Sequence, residues 1–305
     1  MGMSIIKPTV LTDAMLISST VPETEYALWN AATSYTVGQR VIRLTTHHVY
    51  ENLIAGVDAG LPESNITGNT PRWLDIGADN RWAMFDYKVG TVSSIATPLT
   101  VVTNPGSISG IGLLGLVGSL ATIQVKSQTG GTVVYSKSVN LDGTVITSFY
   151  DWFFEPFQQL TDLSLTDLPG QYSNPEVTLS ITSKSGTVGC GTYSFGRVYN
   201  LGSTQYGATA GIISYSIKTF DAFGNVTIVK RANSKRNSLK IMTAASDFNK
   251  IYSLLSSLDS VPCIYSGTSY SGFQPLIVYG FWKDFSIDVS YPAVHLVNLE
   301  IEGMT

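Results

Sequence analysis

Charge is what this 305-residue chain has least of: Asp, Glu, Lys and Arg make up 13% of it, about half the roughly 25% of an average soluble domain. Ser and Thr fill the gap, at about a fifth of the residues. Charged surface keeps monomers apart, so a chain this poor in it is expected to cover much of its surface in an assembly, or to wet it with hydroxyls. The net charge is -4 and the pI near 5.3, which gives no overall field to recruit nucleic acid or acidic lipid. Cysteine is scarce too. Cys190 and Cys263 stand far apart without a partner motif, which excludes a disulfide scaffold; both are expected to be reduced and buried. A long apolar run is also lacking. The most apolar window, Ile111 to Ile123, is interrupted by Gly112, Gly115 and Gly118 and is shorter than the about 20 residues a membrane helix needs. The first twenty residues have neither a basic start nor a small-residue cleavage site, so no secretory signal and no membrane insertion are expected.

What is present is a core and a strand pattern. Apolar residues at 44% exclude wholesale disorder, and the length allows two or three domains of roughly 100–150 residues. Residues 132–141, 176–185, 211–220 and 225–231 alternate in character or are rich in Val, Ile, Thr and Tyr, the signature of strands. Turn signals punctuate them at Asn104-Pro105-Gly106, Gly130-Gly131, Asp142-Gly143 and Gly224-Asn225. One helix is predicted, over 246–258, where Phe248, Ile251, Leu255 and Leu258 fall at helical spacing behind Ser246 as N-cap. The fold class is therefore mainly β. Composition divides it into an N-terminal arm (1–20), a small aromatic β module (21–86), a central β-sandwich or jelly roll (87–205), and a β-rich assembly domain (206–305) carrying the helix.

The module holds Trp29, Trp73 and Trp82, three of the five tryptophans. It runs Trp29, Tyr35, Val37-Gly38, Val41, then Tyr50, then Pro71 and Trp73. This order resembles the small chitin-binding-type carbohydrate-binding modules, departing from them at Gln39, where the family has Asp. Sugars offer C–H faces to aromatic rings, so an exposed Trp or Tyr is the natural platform. A module this small also needs aromatics simply to fill its interior. Trp29, Val41, Tyr50 and Trp73 fit that core, and Tyr35 and Trp82 are the candidates for exposed glycan-binding rings. Downstream, Asp79-Asn80-Arg81-Trp82, Asp151-Trp152-Phe153-Phe154, Thr166-Asp167-Leu168-Pro169, Val278-Tyr279-Gly280-Phe281-Trp282 and the closing Leu299-Glu300-Ile301-Glu302 together resemble the virion structural proteins of tailed bacteriophages, found in tails and baseplates. The resemblance implies assembly into a symmetric particle, residence in the virion tail after synthesis in the host cytoplasm, and contact with the host envelope.

Catalytic and metal motifs find little footing. Gly110-Ile111-Gly112-Leu113-Leu114-Gly115 matches a dinucleotide fingerprint, but Val117-Gly118 follows and the next acid is Asp142, so the required helix and ribose-binding acid are missing. His47 and His48 precede Glu51, yet neighbours on a strand face opposite ways and cannot easily share a metal; no metal and no cofactor are expected. Asp151 with Glu155, or Asp284 with Asp288, could be proposed as glycosidase pairs, but nothing raises either above solvated carboxylates, and no enzyme activity is expected. Residues 216–250 carry an excess of positive charge. Within it Lys230, Arg231, Lys235 and Arg236 lack interleaved aromatics for base stacking, so they are candidates for a subunit interface, with Glu300 and Glu302 as acidic partners within or between subunits. The function expected is that of a tail or baseplate protein assembling as a homo-oligomeric ring, with other copies of itself and other tail proteins as partners. The alternative is adsorption to host-surface polysaccharide, and a glycan hydrolase stands third.

Overall fold

The computed structural model describes residues 2–144, 146–268, 270, 272–289 and 291–304. It is mainly β, as the alternation predicts. Among the described residues no helix is long and apolar enough to cross a membrane.

Six antiparallel strands close into a barrel: Gly2–Pro8, Cys263–Ser266, Ile277–Asp288, Val294–Gly303, Asn233–Ala244 and the second half of Thr192–Thr204, which pairs with both Gly2–Pro8 and Ile241–Met242. Strand periodicity fills its interior. Along Val294–Gly303 every second residue is buried, which sends Val297, Leu299 and Ile301 inward. Helix Phe248–Ser257 plugs the barrel with Ile251 and Leu255, and Trp282 Nε1 donates to Leu255 O at 3.0 Å near its end. The helix is shorter than predicted. Ala245–Asp247 forms a 3-10 turn before it, so Ser246 lies inside that turn and is not the N-cap.

The second body is a sandwich. One sheet has the strand order Val133–Asn140, Leu120–Lys126, Glu176–Thr182, Leu99–Thr103, Leu16–Ser19. Ala121, Ile123 and Val125 alternate inward to meet Val177, Leu179 and Ile181 on the neighbouring strand. The facing sheet consists of Leu163–Leu165, Gly110–Leu114 and the first half of Thr192–Thr204, contributing Ile111, Leu113, Tyr193 and Phe195 to the same core. The two bodies therefore share one continuous strand.

Their seam explains the glycine run. Ile111 and Leu113 face the sandwich core, so Gly110, Gly112 and Leu114 face the other way, toward Ile6, Ile264 and Tyr279 on the barrel. A Cβ on Gly112 would run into the Ile264 side chain, and one on Gly110 would crowd Val198. The apparent fingerprint is a strand face kept bare so that a barrel can lie on it.

Several boundaries differ from the sequence reading. The expected N-terminal arm is built into both bodies, with Gly2–Pro8 in the barrel and Leu16–Ser19 at the sandwich edge, because its alternating residues find a buried face there. The expected strand 211–220 breaks in two. Thr209–Ser214 pairs with Asn233–Ser238, whereas Ile217–Phe220 pairs with Val226–Val229 in a separate two-stranded ribbon. A short helix, Phe149–Phe154, was not foreseen.

If the bare face is what seats the barrel, Gly112→Ala should lower unfolding free energy by about 1–3 kcal/mol through overpacking. Gly90→Ala, where a Cβ meets open space, should stay within about 0.5 kcal/mol. Denaturant unfolding of both variants checks this.

Candidate functional site

The aromatic module is a four-stranded sheet (Ala27–Leu28, Arg40–Arg43, His48–Asn52, Trp73–Ala78) with the short pair Ser34–Tyr35 and Gly56–Val57. Its core is Tyr35, Val41, Tyr50 and Trp73, with Trp29 packed against it. Tyr35 was expected to be exposed; it is 2% exposed. Its ring sits edge-on to Trp73 with centroids 5.2 Å apart. Its hydroxyl donates to Asn30 O at 3.0 Å and accepts from Asn30 N at 2.6 Å. The reason is the volume requirement already noted for small modules: a fourth large side chain is needed to fill the interior. Trp82 is half-buried. Its indole N–H donates to Glu23 Oε1 at 2.8 Å, His47 stacks on one face at 4.1 Å, and Phe85 meets its edge. The ring lines a cavity of about 280 Å³ shared with Asp13, Tyr193 and Phe195, between the module and the body. Trp82 joins the two parts, and neither of the two rings expected to be exposed stands free in solvent.

The module's exit explains that placement. Met84 is fully buried in the sandwich core, Asn80 exchanges hydrogen bonds of 2.9 Å with the backbone of Ser94, and Phe85 packs against Tyr193 with centroids 5.6 Å apart. Residues 79–86 are an anchor.

The four basic candidates divide into two pairs. Lys235 forms an ion pair with Asp162 and also donates to Ile277 O at 3.1 Å. Arg236 meets Glu300 at 3.3 Å, one of the two acidic partners anticipated, and does so within the chain. Lys283 takes Glu302 at 3.4 Å. For Lys235 and Arg236, offered as subunit-interface candidates with acidic partners within or between subunits, the partners lie within one chain. Lys230 and Arg231 are exposed at the base of the two-stranded ribbon.

Two protrusions were missed from sequence. The first is the helix Phe149–Phe154 and its flanks, on which Phe149 is 89%, Trp152 68% and Phe153 73% exposed, with Tyr150, Phe154 and Phe157 also exposed. Its local structure is firmly set. Ser148 and Asp151 form a capping box, and Asp151 Oδ2 also accepts from the Thr147 hydroxyl at 2.6 Å. Those bonds, the Thr147 hydroxyl first, hold the Asp151 carboxyl below its ordinary range, and Asp151 caps the helix. In the other carboxylate pair, Asp288 accepts from Asn298 at 2.9 Å.

The second protrusion is the ribbon. Ile217 pairs with Val229 on one face and Phe220 with Val226 on the other; all four are exposed, as are Phe223 and Ile228. A two-stranded ribbon with both faces apolar is marginal in water by itself. The roots of the two protrusions are adjacent, since Gln158 to Asp162 and Ala210 to Ile212 line one cavity of about 600 Å³ together with Lys235. The sequence signal was available in the run FYDWFFEPF, five of whose nine positions are Phe or Trp, but an aromatic run reads equally as buried.

Comparison with family models, with curated proteins and with solved structures finds no match to this chain.

Both cysteines are free and buried, and burial pushes both thiols up to about 12; neither is a nucleophile at neutral pH.

Tyr35→Ala should cost about 3–5 kcal/mol, as for a large buried aromatic, whereas Phe153→Ser should leave the stability of the isolated chain within about 0.5 kcal/mol. Chemical denaturation separates the core role from the surface role.

Proposed function

We propose that this chain is a structural component of a bacteriophage tail or baseplate that assembles as a homo-oligomeric ring. The observation that carries the reading is the pair of exposed apolar protrusions rooted side by side on one rigid body. Monomeric proteins rarely leave apolar patches of that extent in water. The six exposed aromatic side chains of the helical protrusion alone, at about 150–250 Å² each when fully buried, supply about 1,000 Å², a large part of the roughly 1,200–2,000 Å² that a stable interface buries in total.

The protrusions differ in shape, one a short aromatic helix and the other a flat ribbon. A contact between unlike patches of neighbouring copies is heterologous, and such contacts generate rings when the rotation closes. Lys230 and Arg231, exposed at the ribbon's base, are placed to set register against acidic groups of a neighbour. The scarcity of charge and the resemblance to tail proteins support the same reading from the sequence. No residue is given a catalytic role. Adsorption to host glycan is the weaker reading, because Tyr35 lies in the module core and Trp82 has one face taken by His47.

Light scattering and native mass spectrometry of the purified chain should give one fixed copy number above one. The triple variant Phe149→Ser, Trp152→Ser, Phe153→Ser should shift it to monomer with an unchanged circular dichroism spectrum. A chain that stays monomeric at high concentration, and that is missing from particles of the phage encoding it, refutes the proposal.

A further inference from the structure

His47 and His48 do part company, though not by the strand alternation expected, since only His48 lies in the strand, and each finds acidic partners brought from elsewhere. His48 turns to Asp75, with Nδ1 2.9 Å from its carboxylate. His47 occupies the hairpin tip with a φ of 56° and turns inward. Its Nδ1 lies 2.8 Å from Glu23 Oε1. Asp79 completes the group: one ligating atom from each of Glu23, His47 and Asp79 lies within 4.8 Å of the others.

Asp79 makes this more than a cluster of acids. It is fully buried, and although Oδ1 accepts from Trp82 N at 3.0 Å, Oδ2 has no hydrogen-bond partner among the described residues. An unmet buried acceptor is costly, and more so when it is charged. The neighbouring Arg81 is already committed, its Nη1 to Glu23 Oε2 at 3.0 Å and its Nε to Val21 O at 2.7 Å. Asp79 Oδ2 is thus left without a donor among the described residues, beside the Glu23 carboxylate and the His47 ring.

We propose that Glu23, His47 and Asp79 bind a divalent transition-metal ion of the zinc class. An imidazole nitrogen with carboxylate oxygens suits zinc, manganese or ferrous iron better than magnesium or calcium, which take oxygen alone. The support expected around a metal site is in place. Trp82 donates to Glu23 and stacks on His47, Arg81 orients the same carboxylate, and Asp79 N donates to His47 O at 2.8 Å. Asp13, whose Oδ1 is 3.2 Å from His47 Nε2, is an exposed carboxylate beside the site. The role that follows is structural. The three ligands come from the module's entry, its hairpin tip and its exit, so one ion would fasten all three, a familiar device in units too small to hold themselves by a core. This inference is independent of ring assembly.

The test uses the full-length, tag-free chain stripped with chelator. Titration with Co²⁺ should give visible d–d bands saturating at one equivalent, and calorimetry with Zn²⁺ should give the same stoichiometry and a raised Tm. Asp79→Asn should weaken binding at least about 10-fold. His47→Asn, which tolerates the left-handed backbone, should do the same while preserving the fold. His48→Ala should bind as the unaltered chain does. Absence of cobalt bands and zinc uptake in the unaltered chain would overturn the site, leaving Asp79 and Glu23 as a pair sharing a proton. Undiminished binding by both ligand variants would overturn it equally.

Discussion

One strand, Thr192–Thr204, has to satisfy two bodies at once. Its first residues complete the sandwich sheet against Gly110–Leu114, and its remainder pairs with Gly2–Pro8 and ends on Ile241–Met242 to close the barrel. The changeover falls at Gly196, which stands opposite both Pro8 and Gly110. A side chain there would collide with the carbonyl of Lys7, so the chain can pass from one body to the other only through a residue without one. Backbone hydrogen bonds therefore run unbroken from sandwich to barrel. A hinge at this junction would have to break ladder bonds and separate Ile6, Leu114, Ile264 and Tyr279, and that makes the two bodies a single rigid frame.

That rigidity matters for what the frame carries. The aromatic helix leaves from the sandwich side and the ribbon from the barrel side, yet Asp162 and Lys235 meet across the gap between their roots. Such a partly exposed ion pair contributes modestly to stability, on the order of 1 kcal/mol; its value lies in fixing direction. Interface affinity depends on preorganised geometry more than on area. Two apolar elements held at a set spacing lose less entropy on docking than the same residues on loose loops.

Much of the fold was legible because burial writes a period into the sequence. The strands at 132–141 and 176–185 and the helix stripe Ile251, Leu255, Leu258 each follow from side-chain spacing alone. The failures have one physical origin: the sequence does not say what covers an apolar residue. Tyr35 and Phe153 are both aromatics in aromatic surroundings, and one is sealed inside a module while the other stands in water. The N-terminal strand was hidden for a related reason, since its partners are about 190 and 260 residues away and long-range pairing leaves no local mark. The Glu23–His47–Asp79 group was invisible because its spacings are set by a hairpin and two module ends, and not by the pitch of any one element.

The distribution of the few charges joins these observations. A few ion pairs sit where separate parts meet, Lys235 with Asp162 between barrel and sandwich and Arg81 with Glu23 between the two ends of the module, while others, such as Lys126 with Glu176, bridge neighbouring strands of one sheet. Apolar packing holds surfaces together but is indifferent to small rotations, whereas an ion pair with a fixed partner selects one orientation. A chain with so few charged residues has little like-charge repulsion to keep copies apart. The same economy explains why Lys235 and Arg236 look from sequence like an intermolecular patch and serve inside one chain. In the assembly we propose, a neighbour would cover the aromatic helix and the ribbon, two elements whose apolar side chains the chain's own fold leaves exposed.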